Sequence, residues 1–170
     1  MKIGDTVYSV CFTGHRDLSK DETEMIKIKL ESILTKLINN KGLTVCYAGG
    51  AIGLDTVAAE TVISLKARYP RLRLNLILPC HGQESSWNAE QKEIYKKIKA
   101  TADNVRVLAP FFYNGCMQAR NRELLRNSDL CIAYLRKGTS SGGSLNTVIQ
   151  ATKFGIPVIN IANTESEDVL

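Results

Sequence analysis

Leu43-Thr44-Val45-Cys46-Tyr47-Ala48-Gly49-Gly50-Ala51-Ile52-Gly53-Leu54-Asp55-Thr56-Val57-Ala58-Ala59 decides how the rest of the chain is read. Residues 43–47 form a short apolar run of strand character. Glycines 49, 50 and 53 then break the chain, and from residue 54 to about 68 the apolar positions return at helical spacing.

The same strand–turn–helix unit recurs on both sides of this stretch. Upstream, residues 6–12 read as a strand, and Ser19-Lys20-Asp21-Glu22 fits a capping box. The helix it opens sets Ile26, Leu30, Ile33, Leu34, Leu37 and Ile38 on one stripe, and Gly42 suits its C-terminal cap. Downstream, strands are expected at 72–78, 104–108, 130–135 and 157–161, and helices at about 87–100, 114–127 and 144–154. Residues 130–135 and 158–161 are apolar with little alternation, as strands covered on both faces are. Repeated βαβ units with right-handed crossovers place helices on both faces of a mostly parallel sheet. The expected fold class is therefore α/β, a three-layer, doubly wound, Rossmann-like domain. Residues 1–162 are expected to form that single domain, with 163–170 a loose acidic tail.

The chain has 170 residues, 44% of them hydrophobic and 23% charged, enough to bury one substantial core. No apolar run approaches the roughly 18 residues of a membrane span, and no signal peptide is visible, so no membrane partner is expected. The five cysteines are scattered, and the two histidines share no metal-like spacing with them; a cytoplasmic, reducing location and no metal site are expected. Cys80-His81 has no evident third partner for a nucleophilic centre. Between Lys66 and Lys137 basic residues outnumber acidic ones fourteen to six. That excess favours anionic ligands or nucleic acid, although a solvated basic face reads the same way.

Ligands of doubly wound sheets collect beyond the carboxyl ends of the strands. Four segments stand there. Thr13-Gly14-His15-Arg16 follows the first strand; Arg16 offers a planar fork of donors to a phosphate, or pairs with a surface carboxylate such as Asp17. Gly49, Gly50, Gly53 and Asp55 lie in a turn entering a helix, where free amides and the positive dipole end suit an anion. The spacing is neither the dinucleotide fingerprint nor a Walker loop. Arg120 and Asn121, with Arg122, sit in a polar helix. Gly138–Ser144 holds hydroxyls and glycines before the next helix, with Gly142, Gly143 and Ser144 at its start. The two glycine turns are taken to leave neighbouring strands and to aim their amides into one hollow. Trp87 and Tyr95 read as core residues.

Phe12-Thr13-Gly14-His15-Arg16, Gly49–Asp55 with its following alanines, Trp87 with Tyr95, Arg120-Asn121, Ser128-Asp129-Leu130 and Gly142-Gly143-Ser144 resemble, in order and rough spacing from about Val10 to Ile161, the YpsA-like branch of the SLOG superfamily. That superfamily includes LOG phosphoribohydrolases, DprA-type binders of single-stranded DNA and sensors of NAD-derived nucleotides. The resemblance implies a Rossmann-like fold, homo-oligomerisation (dimer or higher) and a pocket for a nucleotide-like ligand. LOG enzymes carry Pro-Gly-Gly-x-Gly-Thr-x-x-Glu with a working glutamate; here that position holds Ile149, which has no acid–base chemistry.

The leading expectation is a binding protein, with no required cofactor, for a phosphate-bearing nucleotide or an ADP-ribose- or NAD-type derivative, in a sensing or sequestering role. Its ligand-binding residues would be Thr13, Gly14, His15, Arg16, Gly49, Gly50, Gly53, Asp55, Arg120, Asn121, Gly142, Gly143 and Ser144. Two alternatives stay open. One is a nucleotide N-glycosidase using Glu60 or Glu123 in place of the missing glutamate, and the other is DprA-like binding of single-stranded DNA.

Overall fold

A computed structural model of the protein describes residues 7–164. Thr6 and residues 165–170, which the sequence reading put in the first strand and the tail, lie outside the described residues. Six strands alternate with five helices: β1 (Tyr8–Gly14), α1 (Lys20–Lys41), β2 (Leu43–Ala48), α2 (Leu54–Leu65), β3 (Arg73–Leu78), α3 (Ala89–Thr101), β4 (Asn104–Val107), α4 (Cys116–Arg126), β5 (Leu130–Tyr134), α5 (Gly143–Lys153) and β6 (Val158–Asn160). All pairings are parallel, in the order β4-β3-β2-β1-β5-β6. The chain is an α/β doubly wound sheet of Rossmann-like type.

Local chemistry sets most boundaries. Ser19 and Glu22 form both halves of the expected capping box, and Gly42 ends α1 at φ 69°. A second capping box, Asn88 with Gln91, starts α3 two residues later than the periodicity alone places it. β1 runs past its apolar residues to Gly14, because Thr13 and Gly14 pair with Ala133 and Tyr134 of β5. The expected helix to residue 68 stops at Leu65, and turns follow.

The sheet divides the core unequally. Val10 and Phe12 of β1 point into a large cluster with Ile26, Leu30, Leu34 and Leu37 of α1, Leu54, Ala58 and Val62 of α2, and Tyr95 and Ile98 of α3. The other face is thinner: Cys11, Ile77 and Cys131 meet Leu124 and Leu125 of α4 and Ala151 of α5. Trp87 packs edge-on against Tyr95, with ring centroids 5.2 Å apart, at the margin of the large cluster. The cysteines are free and buried, and act here as small apolar fillers.

This winding corrects one expectation. β2 and β5, whose glycine turns were taken as neighbours, lie on opposite sides of β1. The strand order reverses between β1 and β5. The chain leaves β1 toward the face of α1 and leaves β5 toward the face of α5, which opens a crevice there.

Candidate functional site

At that crevice a hollow of about 230 Å³ is lined by Thr13, Gly14, His15, Arg16, Asp55, Arg120, Asn121, Gly142, Gly143 and Ser144, together with Phe12, Ala51, Met117, Thr139 and Ser141. Ten of the thirteen residues singled out from the sequence thus come together. Gly49, Gly50 and Gly53 do not line the hollow and are closely packed instead. A methyl on Gly49 runs into the Arg120 guanidinium, one on Gly50 meets Leu78 Cδ2 at 2.7 Å, and one on Gly53 strikes the backbone of His15 and Arg16. These glycines are packing joints. Two of the turn's donors are also spent, since Ala51 N–H donates to Asp55 Oδ2 (3.2 Å) and Leu54 N–H to the His15 carbonyl (3.1 Å).

The turn after β5 behaves differently. A methyl on Gly142 or Gly143 meets nothing within 4 Å. α5 opens on Gly142 with no side-chain cap, as α2 and α4 open on Gly53 and Gly115, whereas α1 and α3 carry full capping boxes. The first-turn amides of α5, which no helix can satisfy internally, therefore border the hollow unshielded. Ser144 holds this helix start to β1 by donating its hydroxyl to the Gly14 carbonyl (2.8 Å).

Two guanidiniums supply the charge. Arg120 is 4% exposed; its Nη1 donates to the Gly49 carbonyl and its Nε to Asn121 Oδ1 (2.8 Å), while its Nη2 has only Met117 Sδ at 4.0 Å among the described residues. Exposed Arg16 brings its own Nη2 to the same sulfur at 3.9 Å. The weighed pairing of Arg16 with Asp17 does not form: Asp17 Oδ1 faces Arg136 Nη1 at 3.6 Å. Burial pushes the Asp55 carboxyl up in pKa, against the pull of Arg120 and the Ala51 amide. Burial pulls Arg120 down, with Asp55 opposing and Arg16 adding to the fall. Two cations thus lie near one buried acid, and each raises the cost of the other.

His15 serves as a brace. Its Nε2 accepts from the Arg136 amide (3.0 Å), which places the ring proton on Nδ1, and its ring stands edge-on to Tyr134. Met117, Thr139 and Ser141 were not among the predicted ligand residues. Met117 lies one helical turn before Arg120, a spacing that reading α4 as a stripe reveals. The acids offered for a hydrolase lie elsewhere. Glu60 is exposed on α2, and Glu123 is tied to Arg106 (2.9 Å) and Arg126 (3.0 Å). Cys80 is buried, and burial with Cys116 alongside pushes its thiol up in pKa, the wrong direction for a nucleophile. A larger cavity of about 750 Å³ opens at the opposite, amino-terminal ends of β1, β2 and β3, between Gly42 and Arg68–Arg73, away from the strand ends that gather these groups.

The YpsA family model, described as the YspA SLOG family, matches residues 10–154. The chain belongs to the YspA SLOG family. The matched segment runs from within β1 through α5 and contains every residue that lines the hollow. Similar proteins include UPF0398 proteins of Bacillus pumilus, 34% identical over 112 residues (65% of this chain, 60% of that protein), and of Brevibacillus brevis, 34% over 107 residues (62% and 56%). A UPF0398 protein of Oceanobacillus iheyensis is 27% identical over 150 residues, covering 86% of this chain and 80% of the relative. The chain spans less than two thirds of the length of the first two relatives. Among the described residues no helix is long and apolar enough to cross a membrane.

Proposed function

We propose that this YspA SLOG protein binds a phosphate-bearing nucleotide, of the ADP-ribose or NAD-derived type, in the crevice between β1 and β5. One observation carries the reading. The Nη2 atoms of Arg16 and Arg120 converge on a single thioether beside the uncapped start of α5. A phosphate placed there accepts from both guanidiniums and from backbone amides, and removes the repulsion between two like charges. No cofactor is required for this role, and sensing or sequestering of the nucleotide in a cytoplasmic homo-oligomer fits it. Native mass spectrometry of protein purified from cells tests the subunit count and any retained ligand together.

The binding reading is favoured over N-glycoside hydrolysis because position 149 holds isoleucine and because Glu60 and Glu123 are absent from the lining. Thermal melts across AMP, ADP-ribose and NAD decide the matter. At a hundredfold excess over the dissociation constant, a true ligand stabilises the fold by about 2.7 kcal/mol. Arg16→Ala is expected to abolish most of that gain without lowering the melting temperature of the free protein. A panel with no shift, or an Arg16→Ala protein that responds like the parent, removes the assignment. Free base appearing during incubation turns it toward the hydrolase.

Binding of single-stranded nucleic acid keeps one specific support. Phe111, Phe112 and Tyr113 form a consecutive aromatic run, 76%, 66% and 48% exposed, in the connection between β4 and α4. Exposed aromatics stack bases without regard to sequence, and such binding weakens steeply with salt. An oligonucleotide gel shift that is lost from Phe111→Ala/Phe112→Ala protein, and at moderate salt, identifies that role.

A further inference from the structure

A second chamber adjoins the hollow and has no assigned role. It is a groove of about 250 Å³ between α4 and α5, and it shares Asn121 and Gly143 with the hollow. We infer that this groove is the subsite that reads the base: the nucleotide lies across Gly143, with its phosphate in the hollow and its purine between the two helices. The inference rests on the nucleotide reading above and extends it to specificity.

Size supports the joined site. Small-molecule sites occupy roughly 300–1,000 Å³, and neither chamber reaches that alone. Connected through Gly143, they do. Gly143 itself is otherwise unexplained. It is not among the positive-φ glycines, so its backbone admits any residue, and a methyl there touches nothing, so packing does not demand glycine. A passage between chambers does demand it, because any larger side chain stands in the opening.

The lining fits a flat, polar-edged ring. Gln118 and Asn121 from α4 and Asn146 and Gln150 from α5 line it, Leu125 and Ile149 supply an apolar surface, and Arg122 and Lys153 add two cations to the lining. A carboxamide offers a donor beside an acceptor, the pair that matches the N6/N7 edge of adenine. Four carboxamides around two aliphatic side chains leave several ways to make that match. The residue that replaces a hydrolase's glutamate, Ile149, thus sits where a base would rest, 44% exposed and free to make that contact.

The test uses isothermal titration of the full chain with AMP and with ribose 5-phosphate, which has the same phosphate and sugar but no base. The parent protein is expected to bind AMP at least tenfold more tightly. Ile149→Trp fills the groove without entering the hollow, and is expected to bring AMP down to the affinity of ribose 5-phosphate while leaving the latter unchanged. Asn146→Ala, which removes an amide without filling the groove, is expected to narrow the difference while preserving the melting temperature. AMP affinity unmoved by Ile149→Trp, or equal affinity of the parent for the two compounds, overturns the base-reading groove and leaves the phosphate site standing. If neither compound binds, and inorganic pyrophosphate also fails, the nucleotide reading falls and the groove with it.

Discussion

Gly49 and Gly143 look alike in the sequence and act in opposite ways in the fold. Arg120 fills the space where a Gly49 side chain would sit, and its Nη1 is held by the Gly49 carbonyl. Gly49 is not a positive-φ glycine, so alanine there is allowed by the backbone and opposed only by the guanidinium. Gly49→Ala is expected to cost about 1–3 kcal/mol through overpacking, and to weaken nucleotide binding by displacing Arg120. Gly143→Ala is expected to leave stability level or raise it by about 0.5–1 kcal/mol, because alanine suits a helix better. Parallel thermal melts of the two variants check both outcomes, and equal destabilisation contradicts the distinction. The sequence exposed the chemical types at the site, including ten residues that line the hollow. It did not reveal which glycines are packed and which stand open, because what fills the place of a missing side chain comes from residues such as Arg120, 71 positions away.

At the scale of elements, the start of α1 is tied to the end of β5. Glu22 accepts from Arg136 Nε (2.6 Å), the Tyr134 hydroxyl (2.8 Å) and the Ser19 amide (2.8 Å), and Arg136 also reaches the Asp17 carbonyl. This network fixes the β1–α1 turn that carries His15 and Arg16. Arg136 above all, then the Ser19 amide, holds the Glu22 carboxyl far below its ordinary value of 4.5. A depressed carboxyl stabilises the fold above its unfolded pKa and loses that contribution as pH falls below it. Glu22→Gln is therefore expected to melt lower than the parent at pH 7. With the partners partly exposed, the loss is about 1 kcal/mol, or about 2–4 °C for a chain of this size. The gap should narrow steadily as pH falls below about 4.5 and vanish only once the depressed carboxyl is itself protonated; melting curves at stepped pH that stay parallel refute it. The capping box was legible because Ser19 and Glu22 are close in sequence. The ties to Tyr134 and Arg136 were not, since each spans more than a hundred residues.

For the whole molecule, the alternation of strand and helix was enough to specify a parallel, doubly wound sheet, but not the order of its strands. The same alternation fits several orders, so the position of β1 between β2 and β5 became visible only in the structure. The unequal faces have a dynamic consequence. α1 and α2 cover a broad core, whereas α4 and α5 rest on the small set formed by Cys11, Ile77, Cys131, Leu124, Leu125 and Ala151. Elements with fewer buried apolar contacts open at lower free energy. Hydrogen exchange followed by mass spectrometry is expected to show α4, α5 and β6 exchanging before α1, α2 and β2. Added nucleotide should slow the first turns of α4 and α5 most. Uniform exchange across both faces, or protection confined to α1, runs against this expectation.

The crevice between β1 and β5 also fixes when the protein becomes competent during its own synthesis. Arg16 emerges from the ribosome early, Arg120 much later, and the open amides of α5 after that. Domains gain structure as the chain lengthens, and β1 to β4, the part of the sheet on one side of the crevice, are made first. A nascent chain that has made only that part holds one arm of the grip. On the proposed function, nucleotide capture is reserved for polypeptides translated through α5, and a product terminated before α4 would carry Arg16 without Arg120 to close on the ligand.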